Sequence, residues 1–299
     1  MQCFHPIHLI DRTVPCGNCF ACQSRRRKEW HMRCKYELLH SVCSYTVTLT
    51  YDDYHLPKVV PFYDKDPMEF MTGDNTEVSF RMEDNPWSDD NILFYYHPYD
   101  IDHVQRFLKR LRKDGFKFRY FGVAEYGGKT ARPHYHIIFF FNYPVSFVRF
   151  TTEVVKQWPY GCQISIDDTD DRCIGYTLKY CLKFYNVRQP APKIFLSKQP
   201  FIGHGYLLSG TVQRIRSDCT GFIDTVTGKM RLPRLIRDKV FSDDENELAS
   251  LRLMNEIDNL QAAEQREADR LGINVSEYRK RLRESFTRKC VKQLKNKKL

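Results

Sequence analysis

Two runs of strand character, FKFRYFGVAEYG and HYHIIFFFN, stand on either side of GGKTARP, a short stretch whose glycines and proline make a turn. Runs so close together pair as an antiparallel hairpin, which commits the middle of the chain to a sheet. The segments around the hairpin decide what covers it. DIDHVQRFLKRLRKDG reads as a helix: Asp100 or Asp102 caps its start, Val104, Phe107, Leu108 and Leu111 recur at helical spacing, and Gly115 stops it. Lys109, Arg110, Arg112 and Lys113 fill its other side as a solvated surface or a basic ridge.

SVCSYTVTLTY, rich in Val, Thr and Tyr, predicts a central strand from Val42 to Thr50, after a basic helix from about Ser24 to Leu39 that carries Trp30. Beyond the hairpin, VSFVRFTTEVVKQW predicts a helix and YGCQISI a strand. DDTDDRCIGYTLKYCLKFY begins with acidic residues suited to a helix N-terminus and predicts a helix to about Phe184. This order implies an α+β fold, an antiparallel sheet covered by helices, with a central HxH-bearing hairpin and a helical C-terminal extension. The extension comprises helices from about Glu245 to Arg270 and from Val275 to Lys295, after an irregular stretch from Asn186.

Composition divides the chain into four segments. Residues 1–40 are cysteine-rich and basic, 41–185 hold the candidate chemistry, 186–240 are an irregular accessory segment, and 241–299 are helical and basic. From Asp52 to Asp100 there are 12 acidic residues against Lys58, Lys65 and Arg81, together with five prolines, so this stretch predicts a loop or hairpin insertion. Short strands near Glu77 to Met82 and Ile92 to Tyr96 are expected to rejoin the sheet. The net charge of +10 suits a polyanionic partner, but ten Lys or Arg against Glu284 alone place +9 of it from Arg279 onward. Selectivity must therefore come from placed residues. No signal-peptide pattern opens the chain and no apolar run approaches a membrane span, so a cytoplasmic location without a membrane partner is expected.

In PHYHIIFF, His134 and His136 are two apart, which on a strand puts both imidazoles on one face. Glu125 ends the preceding strand of the same hairpin and brings a carboxylate toward them. Two nitrogens and one oxygen with open positions suit Mn²⁺ and tolerate Mg²⁺, an ion able to polarise a phosphodiester. In GYTLKYCLKF, Tyr176 and Tyr180 are four apart on one helical face, and Lys179 and Lys183 form a second four-spaced pair. Such tyrosines serve either core packing or nucleophilic attack. About one phenol in 1,000 is ionised at pH 7, a deficit of roughly 4 kcal/mol that nearby lysine and metal charge would offset. Attack on phosphorus would leave a 5′-phosphotyrosyl link and a free 3′-hydroxyl.

The succession VTLTY, FLKRLRK, AEYG, RPHYHIIFF and GYTLKYCLKF resembles the replication initiators of small single-stranded DNA phages of the microvirus group, particularly the gokushovirus type. The opening CxxCxxC with its tryptophan-bearing basic helix, and the later FIGHGY and RLPR, are similar too, so the resemblance spans roughly Cys3 to Asp238. It implies a rolling-circle initiator of the histidine-hydrophobe-histidine endonuclease superfamily that nicks and religates single-stranded DNA at the origin. His134, His136 and Glu125 match that superfamily's metal ligands, and Tyr135 holds the hydrophobic middle position. Tyr176 and Tyr180 match its paired nucleophiles, with Lys179 and Lys183 beside them. Expected partners are origin DNA and host replication proteins, in the cytoplasm of a bacterial host. Arg25, Arg26, Arg27, Lys28 and Arg132 are the expected DNA contacts. No GxxxxGK[ST] is present, which argues against a built-in helicase.

Eleven cysteines, an odd number spread over a long chain, do not describe a disulfide framework. Cys16, Cys19 and Cys22 offer three thiolates at knuckle-like spacing, and Cys3, or else Cys34 or His31, would complete a tetrahedral structural zinc site, with an iron–sulfur cluster as the alternative. Two other functions fit the same residues. A zinc-containing regulator that binds single-stranded nucleic acid without cutting it would give no covalent adduct, and a relaxase or transposase would use the same site on another substrate.

Overall fold

The computed structural model describes residues 3–10, 13–17, 19–63, 92–127, 132–180, 192–225 and 228–296. The chain gathers into two compact units, Trp30–Gly203 and the pairing of Met1–Glu29 with His204–Leu299. A short hairpin, β1 (Ile7–His8) with β2 (Thr13–Val14), precedes helix α1 (Phe20–Leu39). β3 (Cys43–Thr50), β4 (Val60–Tyr63), β5 (Ile92–Tyr96), α2 (Ile101–Lys113), β6 (Arg119–Tyr126) and β7 (Pro133–Phe141) follow. Then come α3 (Phe147–Gln157), β8 (Ser165–Asp168), α4 (Asp171–Tyr180) and β9 (Lys193–Leu196). The remainder is α5 (Gly210–Ser217), β10 (Phe222–Thr225), β11 (Gly228–Arg231), α6 (Arg234–Val240), α7 (Asp243–Arg270) and α8 (Val275–Asn296).

The unit Trp30–Gly203 is built on a five-stranded sheet in the order β8-β3-β7-β6-β9, with every neighbouring pair antiparallel. This is the expected α+β architecture, with the HxH hairpin at its centre. Because strand side chains alternate, residues directly opposite each other across a pair share a face. One face presents Tyr45, Val47, Leu49, Tyr135, Ile137, Phe139 and Phe141 to α2 and α3, which pack through Phe107, Leu111, Phe150 and Val154. The other face presents Phe121, Val123, Ile138 and Phe140 to Cys34 of α1 and to Ile174 and Leu178 of α4. Helices on both faces explain why β7 is apolar almost without interruption. Each Phe or Ile it buries fully contributes about 1.5–3 kcal/mol, so this strand fixes the register of its neighbours.

Local chemistry ends the helices where it should. The Asp100 side chain accepts from the His103 N–H at 3.0 Å and starts α2, and Gly115, at φ +91°, turns the chain away after it. Ser146 caps α3 in the same way, and Ser242 and Glu245 form a reciprocal capping box on α7. On the second face, the buried Glu37 of α1 accepts from the Gly203 N–H at 2.7 Å and pairs with Arg119 of β6. The Arg33 Nε donates to the Ile202 carbonyl at 2.9 Å, so part of this helix's basic character serves packing.

Several details differ from the sequence expectation. α1 begins at Phe20, four residues before Ser24. Ile92–Tyr96 is a strand, yet it pairs with Val60–Tyr63 in a sheet of its own and does not rejoin the main one; Glu77 to Met82 lies outside the described residues. The strand expected in YGCQISI begins later, at Ser165. β9 closes the sheet edge beside β6, and α5, β10, β11 and α6 fold from a region expected to be irregular. Only four β9 residues are strand-like, and their partner is some 70 positions away, so no local periodicity announces them.

Phe139 is fully buried, with ring centroids 4.9 Å from Phe118 and 5.2 Å from Phe150. Phe139→Ala is expected to destabilise this unit by about 3–5 kcal/mol, read from the urea midpoint of its unfolding. Val148→Ala, at a position 73% exposed on α3, should shift the same midpoint by no more than about 0.5 kcal/mol.

Candidate active site

Register brings the sequence candidates together. Glu125 of β6 lies opposite His134 of β7, and Thr50 of β3 opposite the same histidine from the other side. His136 lies between Thr48 and Val123 in the same manner. Glu125, His134, His136, Thr48 and Thr50 therefore share the face covered by α1 and α4. The intervening Tyr135 points to the opposite face, as alternation requires.

Hydrogen bonds orient both imidazoles. The Nδ1 of His136 meets the Thr48 hydroxyl at 3.0 Å, and its Nε2 faces Glu125 Oε1 at 3.3 Å, with both side chains buried. The His134 Nδ1 lies 2.8 Å from the Arg132 carbonyl, an acceptor, so the ring carries its proton there and its lone pair on Nε2. A backbone carbonyl behind one ring nitrogen is the arrangement that presents the other to a cation. Gly127 supplies the space for that ring, since a Cβ there would meet His134 Cε1 at 2.5 Å. Two imidazoles and one carboxylate on one face are a donor set that fits Mn²⁺ or Mg²⁺. Among the described residues, the group of three or more metal-ligating side chains whose donor atoms all lie within 4.8 Å of one another is a different one, the four cysteines. Thr48 and Gly127 were not singled out from sequence; the Thr-rich VTLTY and the glycine after AEY were the available signals.

α4 brings Tyr176 to this face. Its ring stands edge-on to His136, with centroids 6.2 Å apart and planes at 90°. Ile174 and Leu178 anchor the helix on the apolar part of the face, and Asp171 at its start approaches His31 and Lys35 of α1 at 3.5 and 4.0 Å. Lys179 is half-buried. Tyr180 ends α4, but its side chain and all of Lys183 lie outside the described residues.

Tyr135 illustrates a tyrosine with a structural role. Its hydroxyl accepts from the Asp100 N–H at 2.9 Å, donates to the Asp100 carbonyl at 3.1 Å and lies 3.0 Å from the Tyr51 hydroxyl. Burial pushes its pKa up to about 12, partly offset by those hydrogen bonds. The basic side of α2 is on this opposite face as well, and Arg110 donates to the Gln157 carbonyl while Arg112 lies 4.8 Å from the centre of the Phe118 ring.

The expected DNA contacts are distributed differently. Arg132, beside the histidines, pairs with the exposed Asp53. Arg25, Arg26, Arg27 and Lys28 all lie on α1, with Arg26 and Lys28 exposed and Arg25 donating to Cys22 Sγ at 3.6 Å. Cys3, Cys16, Cys19 and Cys22 converge, whereas Cys34 is buried among Phe121, Ile138 and Phe140 and His31 is engaged with Asp171. Cys3 is thus the fourth member of the cluster, and the two alternatives are set aside.

An antiparallel α+β domain with two histidines on its central strand and a tyrosine-bearing helix over them is thereby defined. Residues 90–185, which contain both histidines and both tyrosines, match a family model of replication-associated proteins of the ORF2 type. The chain is 26% identical over 204 residues to the replication-associated protein ORF4 of Chlamydia phage 1, covering 62% of this chain and 41% of that one. It is 26% identical over 254 residues to the replication-associated protein ORF2 of Spiroplasma virus 4, covering 75% of this chain and 66% of that one. These matches bear out the microvirus-type resemblance at low identity, and the chain spans between two fifths and two thirds of these relatives' lengths. No solved structure matches. Among the described residues, no helix is long and apolar enough to cross a membrane.

Gly127→Ala is expected to leave the fold intact and displace the His134 ring, because the atoms in the way belong to the far end of a side chain. Histidine-selective NMR should show the His134 resonances moving with an unchanged backbone spectrum.

Proposed function

We propose that this chain initiates replication of a small phage DNA genome by cutting one strand with a tyrosine hydroxyl and later rejoining it. The observation that carries this reading is Tyr176 packed edge-on against His136, on the same sheet face as Glu125 and His134. The names of the relatives, replication-associated proteins of a chlamydial phage and a spiroplasma virus, support the replication role.

In this reading His134, His136 and Glu125 hold a divalent ion, which when bound polarises the scissile phosphate and neutralises charge on its oxygens. The tyrosine oxygen attacks phosphorus and loses its proton, while the bond from phosphorus to the 3′ oxygen breaks and that oxygen leaves as a 3′-hydroxyl. The 5′ end remains on the tyrosine, so the bond energy is kept for rejoining by the reverse step. Tyr176 and Tyr180, one helical turn apart, let one hold the 5′ end while the other cuts again. Lys179, three residues after Tyr176, contributes positive charge near the phenol oxygen. Thr48 and the Arg132 carbonyl orient the two imidazoles. Arg132 is placed to exchange Asp53 for a DNA phosphate, since an exposed ion pair holds its partners weakly.

The test is incubation with labelled single-stranded origin DNA and Mn²⁺, followed by denaturing electrophoresis. The parent is expected to form a denaturation-resistant adduct, the Tyr176→Phe/Tyr180→Phe double variant none, and His136→Ala at least about 100-fold less. An adduct in the double variant would remove the proposed nucleophiles, and binding without any adduct would favour a regulator that does not cut.

The basic C-terminal helix is proposed as a tether that holds DNA without reading sequence. Among the described residues, Arg279, Arg281 and Arg288 already pair with Glu264, Glu277 and Glu284, so not all of the ten basic residues from Arg279 onward are expected to meet phosphate. Truncation before Arg279 should then lower the salt dependence of single-strand binding by up to about five units of log–log slope, while short oligonucleotides are still cut. An unchanged slope dismisses the tether.

A further inference from the structure

We infer that Cys3, Cys16, Cys19 and Cys22 bind one zinc ion, and that this ion is what folds the N-terminal segment and seats it against α8. The sulfurs of Cys3 and Cys16 are 3.4 Å apart, those of Cys3 and Cys19 3.8 Å, and those of Cys16 and Cys22 4.0 Å. Four thiolates at about 2.3 Å from one zinc stand about 3.8 Å from each other, the edge of the tetrahedron. A disulfide would need sulfurs at about 2 Å. A cluster of several irons would hold its cysteines farther apart than a single ion does.

Donors surround the sulfurs as they surround thiolates. The N–H groups of Phe4, Cys16 and Cys19 point at Cys19, Cys3 and Cys16 Sγ, each at 3.3 Å, and Arg25 adds its guanidinium at Cys22. Four thiolates and Zn²⁺ carry a net charge of −2, which these donors stabilise. Binding releases the thiol protons to solvent and involves no redox change.

The surrounding segment has little else to hold it. β1 and β2 are two residues each, and Ile7, Leu9 and Ile10 are exposed, so no apolar core forms there. Phe4 is buried, and its ring stands edge-on to Phe286 of α8 at 6.1 Å with Arg283 6.0 Å from its centre. Cys3 is the residue next to Phe4, so a metal that fixes the thiolate also fixes the ring on which α8 rests.

The full chain, purified without chelator from cells grown with zinc, should contain about one zinc per molecule by mass spectrometry of the metal. A thiol-binding mercurial should release it, and the Cys16→Ser and Cys22→Ser variants should lack it. Cys162→Ser, at an exposed cysteine outside the cluster, should retain it and controls for the loss of any one thiol. Should the cluster variants fail to fold, exchange of Co²⁺ into the parent gives a second reading, with the strong visible bands of a tetrahedral tetrathiolate site expected. His136→Ala should keep its zinc, so failure of the nicking reading leaves this one standing and the reverse. Stoichiometric iron, or metal-free protein with four freely reactive thiols at the cluster, overturns the zinc site. Stripping the zinc should also speed tryptic cleavage within α8, and an unchanged digest overturns the seating of α8.

Discussion

The backbone ladder between β6 and β7 sets Glu125 across from His134 and Val123 across from His136, and the site depends on that pairing. Main-chain hydrogen bonds decide which side chains meet, and burial on both sides of the sheet keeps the ladder from slipping. The carboxylate and the imidazoles therefore share a face because of the register of two strands, before any direct attraction between them is considered. β3 repeats the device from the other side, with Thr48 and Thr50 opposite the two histidines.

The face that holds the histidines changes character along its length. Ile138 and Phe140 meet Ile174 and Leu178, while His134 and His136, earlier on the same strand, meet polar neighbours. One helix serves both regions: the apolar side chains of α4 secure it, and the adjoining side brings Tyr176 to His136. The opposite face has no such gradient, being filled with aromatic rings from α2, α3 and three strands. Chemistry and stability are in this way assigned to different sides of one sheet, and the hydroxyl network of Tyr51 and Tyr135 is the polar feature that the aromatic side accommodates.

Strong periodicity made the hairpin, α2, α3 and α4 legible in the amino-acid order, and the alternation of His134, Tyr135 and His136 gave the face of each. Spacing also gave the cysteine cluster, although the fourth member had to be chosen by the fold, which buries Cys34 in an apolar layer. The remaining pieces depended on partners distant in the chain. Thr48 becomes relevant only once β3 is in register with β7, and Gly127 only once the His134 ring is turned back over it. β9 consists of four residues whose strand character comes from pairing with β6. The grouping of Met1–Glu29 with His204–Leu299 has no local signature, because it joins the two ends of the chain.

The anchoring of Tyr135 to Asp100 bears on how such a domain can change over evolutionary time. Its hydroxyl is tied to the main chain at the start of α2, so β7 is clamped at the position between the two imidazoles. Substitutions along the strand alter one contact each. A single inserted or deleted residue between Pro133 and Phe141 would instead exchange the two faces downstream of it, sending polar groups into the aromatic layer. Length variation is accordingly confined to the loops, and drift within this strand proceeds by replacement alone.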